Sequence, residues 1–408
     1  MLEENVIWLD SPDQKKFTSF RFYTELLDEL SDYYRSGFYN GGPPVIALDR
    51  SLKIDPVVLP LLMALGAFLK EFHKQRVTLE LDNDLHSNGI IRFLEQSDFL
   101  HIAGDNENPT WPIGKRLFNF NRSAIGHFST KGEIRSDHRL HVYSKVDAGL
   151  RHINLIENLE KRRDALIEHY LYKTGNDFEG LISEIPTSST IRNELVQTMA
   201  ELITNGIFHS DSDVYVMMFN NRYKTTCSIA DIGKGLHESL KTKPPTPYYT
   251  YGVLTAELVE KVTLSMPKNV QQSAFAIFET FYYSMLKDRQ GLFDLMLNVV
   301  LGCQGYFRLH FESVQVIVSS RMLGQLNVLA EIRNDIYSLQ GRQKAFKEPF
   351  GDYDRAMLDY ALVAKTAMVN LARDIFQKYS EDVQFSAIRL FRVKLRGVHI
   401  EAEFPKND

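Results

Sequence analysis

Between Ile191 and Gly235 the chain passes from a helical to an extended hydrophobic period and then ends a strand on an acid followed by two glycines. The segment IRNELVQTMAELITNGIFHS carries Leu195, Met199, Leu202 and Phe208 along one face, and Ser188, Ser189 and Thr190 supply capping side chains before it. Two predicted strands follow, VYVMMFN over 214–220 and TTCSIAD over 225–231. Asp231-Ile-Gly233-Lys-Gly235 then turns the chain. A helix feeding two adjacent strands confines this half to an architecture in which helices pack on a sheet.

The pattern continues with helices over 273–286 and 291–301, a hairpin pattern (YFRLHF, VQVIVSS), largely helical sequence over about 320–390, and a last strand, VHIEAEF. Upstream, VIALD (45–49) predicts a buried strand and RVTLELD (76–82) a second strand. Asp55-Pro56 opens a helix running to about Lys74, and 86–99 predicts another, so this region reads as a small α/β unit. Phe17, Phe20, Phe22, Leu26, Leu27 and Leu30 predict one amphipathic helix over the first forty residues. Residues 105–150 give no clear assignment. Asn154–Lys173 predicts a charged helix, either a connector, a dimerisation helix or a solvated surface helix. The expected division is 1–40 helical, 41–150 α/β, 151–180 connector, and 181–408 an α/β (two-layer α+β) domain with a helical insertion.

Composition excludes several classes. Hydrophobic residues make up 44% and charged residues 24% of the 408, near globular averages. The longest charge-free apolar run, Val57 to Leu69, is 13 residues with Pro60 inside it, too short to span a bilayer, so no membrane partner is expected. The N-terminus, MLEENVIWLD, places acids where a signal peptide needs basic residues. Two cysteines, Cys227 and Cys303, make no disulfide framework, and no histidine pair has zinc spacing. A reduced, cytoplasmic protein is the expectation. A net charge of −5 gives no general pull toward nucleic acid, and Lys161-Arg162-Arg163 sits among acids and reads as a solvated helix face.

Two strings carry candidate chemistry. Glu201 and Asn205 stand four apart on a helix and project from one face. A carboxamide oxygen suits Mg²⁺, and a carboxylate beside it can orient or deprotonate a nucleophile. Asp231 at a strand end can accept from an exocyclic amine, and Gly233 and Gly235 let backbone approach a ligand closely. Taken singly, each string is common: a solvated helix face in one case, a strand-to-loop turn in the other.

In this order and context the chain resembles the GHKL ATPase superfamily, with its Bergerat nucleotide-binding fold, over about residues 180–405. ELITNGIFHS is similar to the family's N box and ADIGKGL to its first glycine box. The resemblance implies ATP and Mg²⁺ as ligands, with Asn205 on the metal, Glu201 as general base or water-orienting group, and Asp231 reading the adenine amine. Gly233 and Gly235 would shape the pocket wall, and His209 takes the tail position of the N box. The second glycine box is reduced to Arg289-Gln290-Gly291-Leu292, whose helix-opening Gly291 and Leu292 are expected beside the phosphates; Gly397-Val398 stands where relatives carry Gly-Thr. No phosphoacceptor histidine box precedes the domain, which disfavours an autophosphorylating histidine kinase. The helix is also similar to that of anti-sigma-factor serine kinases, and the 41–150 unit resembles a STAS domain that has Asp55, Pro56, Val57 and Val58 where a phosphoacceptor would stand. The resemblance implies a nucleotide-driven conformational or regulatory switch that binds ATP and ADP and has a regulatory protein partner. The alternatives are a serine/threonine protein kinase and a nucleotide-gated scaffold with little turnover. A homodimer is expected from resemblance alone.

Overall fold

The computed structural model describes residues 6–9, 16–36, 39, 41–48, 53–81, 88–105, 114–120, 138–210, 212–262, 266–346, 350–382 and 385–406, with the backbone alone at 88, 89, 148, 209, 210 and 350. The described elements form a mixed α/β protein with two main sheets. In the first, β1 (Val6–Leu9), β2 (Val45–Leu48), β3 (Val77–Leu81) and β4 (Phe118–Phe120) lie in that order, all parallel. Helical residues, including α1 (Leu27–Arg35), link β1 to β2, and α2 (Leu59–His73) links β2 to β3.

The second sheet is antiparallel throughout. Its strands are β5 (Leu140–Tyr143), β6 (Val214–Asn220), β7 (Lys224–Asp231), β8 (Tyr306–Val318) and β9 (Ile388–Pro405), in the spatial order β8, β9, β7, β6, β5. Both faces are covered. Val214, Val216 and Met218 of β6 join the core with α3 (Leu159–Ser183), α4 (Ser189–Ser210) and α6 (Lys268–Leu286). Tyr215 and Met217, of the opposite parity, join the core with α2 and the parallel sheet. Burial on both sides is why β6 reads as an unbroken apolar run.

Helix α2 touches β3 on one side and β6 and β7 on the other. A helix wedged between two sheets is apolar all round. By length and composition Pro56–His73 would pass for a membrane span, and 67% of that window is buried inside the fold. A polar chain crosses the same interface. The Tyr23 hydroxyl donates to His399 Nδ1 at 3.0 Å, His399 Nε2–H donates to Ser228 Oγ at 3.0 Å, and Ser228 donates to the Val57 carbonyl at 2.8 Å. This pattern uses a neutral imidazole, and burial holds His399 down to about 3.

Four expectations change. Among the described residues of the first forty, helix runs over 19–35, and Val6–Leu9 is a strand that pairs with Val45–Leu48. The unassigned 105–150 stretch supplies β5, which pairs with β6 rather than with the parallel sheet. The hairpin pattern is one strand, β8, kinked where Glu312 takes a positive φ of 54° and the register with β9 shifts. The charged connector is α3, which buries Leu166, Tyr170, Thr174, Phe178, Leu181 and Ile182 against the rest of the core. The stretch beyond β8 holds two long helices, α8 (Leu323–Phe346) and α9 (Phe350–Phe376), packed on each other.

Candidate functional site

A cavity of about 140 Å³ opens between the helix layer and strands β6, β7 and β9 of the antiparallel sheet. Glu201, Asn205, Asp231, Gly235, Gly291 and Leu292 all line it. Glu201 and Asn205 reach it from α4, as their spacing of one turn requires. Asp231 reaches it from the last residue of β7. Gly233 is not in the lining; its N–H donates to Asp231 Oδ1 at 2.7 Å and fixes the carboxylate. His209 lies on α4, and its side chain falls outside the described residues.

The wall beside Asp231 depends on a bend in β9 at Gly397. Gly397 has φ +98°, and a Cβ there would stand 1.9 Å from the Asp231 carbonyl oxygen. Only glycine permits that approach. It brings the Val398 N–H onto the Asp231 carboxylate as a second backbone donor. Burial still dominates and raises the Asp231 carboxyl from 3.8 to about 6, with the Gly233 and Val398 amides pulling it down. The group is therefore largely ionised at pH 7 and can accept from a ligand N–H. Leu202, Val214, Ile229, Leu236, Leu292 and Ile400 give the cavity apolar sides suited to a flat ring.

The other end is basic. Lys243 and Lys287 line the cavity, and Arg163 of α3 stands beside it, where Nη2 bonds the Glu201 carboxylate and lies 3.1 Å from Asn205 Oδ1. Arg162 and Arg163 of the Lys161-Arg162-Arg163 run are both half-buried, Arg162 donating to the Ile156 carbonyl and Arg163 turning to Glu201. Sequence reading missed Arg163 because nothing in a single basic run tells which side chain turns inward. Burial holds Lys287 down to about 7 and Lys243 to about 8, with Arg163 adding repulsion in both cases. The Lys287 ammonium sits over the Tyr283 ring at 4.7 Å.

The loop before α7 (Leu292–Leu297) departs from expectation. The Gly291 N–H donates to Asp294 Oδ2 at 2.9 Å, and the Phe293 N–H to Ser284 Oγ at 3.1 Å. The glycine amide expected to face phosphate is committed within the fold. Asp294 is in turn paired with buried Arg333 of α8, whose Nε lies 2.9 Å from Asp294 Oδ1. Arg333 also donates to the carbonyls of Met285, Lys287 and Arg289. The long helical insertion therefore holds the segment that carries Lys287.

The donor set fits a nucleotide: one fixed acid, apolar walls, and cations at the far end. The oxygen donors expected to hold Mg²⁺, those of Asn205 and Glu201, both accept from Arg163. Among the described residues no group of three or more His, Cys, Asp or Glu is placed to hold a metal. Comparison of the chain with protein-family models, with curated proteins and with solved structures finds no match.

Proposed function

We propose that this chain binds an adenine nucleotide in the cavity and acts as a nucleotide-driven regulatory switch of the GHKL type. One observation carries the reading: Glu201 and Asn205 of α4 and Asp231 of β7, far apart in sequence, line one cavity with apolar sides. Asp231, held by two backbone amides, accepts from the exocyclic amine of the base. Leu202, Ile229, Leu292 and Ile400 enclose the ring and exclude water from it. Asn205 and Glu201 are the residues that would hold a Mg²⁺ ion through oxygen if Arg163 released them, and such an ion would add charge neutralisation for the phosphates. Glu201 can orient or deprotonate a nucleophile only when Arg163 releases its carboxylate, so turnover is slow.

Hydrolysis and transfer to a partner's hydroxyl would use the same residues. The scaffold-like reading, with little turnover, is favoured by the Arg163–Glu201 pair and by the loop that Arg333 fixes. The STAS-like reading of the parallel-sheet unit makes it a regulatory module. It acts within the chain, because Pro56, Val57 and Val58 are buried and Ser228 of β7 bonds the Val57 carbonyl. The test is equilibrium binding of a non-hydrolysable ATP analogue to the whole chain, followed by phosphate release from ATP in wild type and Glu201→Ala. Saturable binding with slow release that vanishes in the variant is expected. No binding at millimolar analogue ends the nucleotide reading.

A further inference from the structure

We infer, building on the nucleotide reading, that Arg163, Lys243 and Lys287 form a subsite for a diphosphate or longer tail, in which these protein cations carry the charge expected of a divalent metal. The three come from different places: α3, the segment after α5 (Gly235–Lys241), and the C-cap of α6. Around Lys287 stand Arg163, Lys243 and Arg289, with Glu201 as the nearby acid; around Lys243 stand Arg163 and Glu201. Arg289 is already paired with Asp164 at 2.8 Å. Glu201 is thus a carboxylate shared by Arg163, Lys243 and Lys287 in a partly closed space. Gathering like charges away from water is unfavourable unless an anion offsets them.

Two details point the same way. Arg163 Nε is buried and finds no acceptor among the described residues, although Nη2 is bonded. A buried guanidinium N–H without an acceptor is costly, and a phosphate oxygen would satisfy it. Lys287 is also held in place rather than left on a free loop. All five N–H groups of Arg333 are used, three of them on the carbonyls of Met285, Lys287 and Arg289. A tail oxygen meets these donors as they stand, whereas a metal ion has to displace Arg163 from both Glu201 and Asn205. The depressed ammonium groups add a signature. An anion between them raises both, so at pH 7.5 binding takes up protons.

Calorimetric titration of the whole chain with adenosine and with ADP, each in EDTA and in Mg²⁺, tests this. ADP is expected to bind at least tenfold more tightly than adenosine, to bind in EDTA within about threefold of its affinity in Mg²⁺, and to take up protons when buffers of different ionisation enthalpy are compared. Lys287→Met is expected to weaken ADP at least tenfold, to leave adenosine within about twofold, and to reduce the proton uptake; Lys287→Arg is expected to retain ADP binding. ADP binding that requires Mg²⁺, or ADP no tighter than adenosine in the wild-type chain, overturns the subsite whatever the folding of the variants. Adenosine and ADP both failing to bind overturns the nucleotide reading itself, and the subsite with it.

Discussion

Replacing Asp231 by asparagine removes the carboxylate proposed to read the base. In the folded chain, burial raises this carboxyl from 3.8 to about 6. The folded state therefore holds the proton more tightly than the unfolded chain does. The group favours folding fully below pH 3.8, and that contribution is lost as pH rises through about 6. A rise of this size corresponds to about 3 kcal/mol. Asparagine does not titrate, so the stability of Asp231→Asn relative to wild type is expected to climb by about 3 kcal/mol between pH 3.5 and pH 7. Urea unfolding of both proteins at several pH values measures it, and the other titrating groups cancel in the difference. Nucleotide affinity at pH 7 is expected to fall about ten- to a hundredfold, the worth of a hydrogen bond to a charged acceptor. A stability difference that stays flat or declines with pH would refute the burial of this carboxyl. Unchanged affinity would refute its role in reading the base.

Arg333→Met strands Asp294 and three carbonyls, and is expected to cost about 3–5 kcal/mol in urea unfolding, with Arg333→Lys recovering little because an ammonium has three donors where the guanidinium uses five. A loss under about 1 kcal/mol would mean the loop is held by other contacts. Gly397→Ala forces a side chain at φ +98° against the Asp231 carbonyl and is expected to lower stability by at least about 2 kcal/mol and to weaken nucleotide binding. Thermal unfolding within a degree or two of wild type would contradict the bend. Burial holds both His310 and His399 down to about 3, so each contributes stability present above pH 6.5 and lost as pH falls toward 3. His310→Gln is expected to flatten the slope of stability against pH below 6.5 by about 1.4 kcal/mol per unit, and an unchanged slope would show that the imidazole protonates freely in the fold.

How much of this was legible in the sequence depended on whether a feature is local. The α4 period, the strands β6 and β7 and the two helices beyond β8 have patterns complete within their own residues. The spacing of Glu201 and Asn205 fixes a common face whatever surrounds it. Residues such as Val6–Leu9 are too few to show a period, and their strand exists because Val45–Leu48 lies alongside. The YFRLHFESVQVIV stretch looked like two strands because Glu312 and Ser313 interrupt its apolar run, and pairing with β9 carries the strand through. The Asp55-Pro56 opening and the apolar run after it predict helix α2, whereas its wedging between two sheets is a property of three elements together. Arg163 and Arg333 were out of reach for the same reason. Each is one arginine among many until the fold brings α3 beside Glu201 and α8 beside the Met285–Arg289 carbonyls. Gly291 illustrates the converse error. A glycine opening a helix offers an amide to an anion, and here the chain's own Asp294 takes it.

The most direct measurement is a crystal structure of the whole chain with ADP. A base whose amine lies within hydrogen-bond distance of the Asp231 carboxylate, its tail running toward Lys287 and Arg163, is the predicted result. A base bound elsewhere on the chain, or a cavity still empty at saturating ADP, would contradict it.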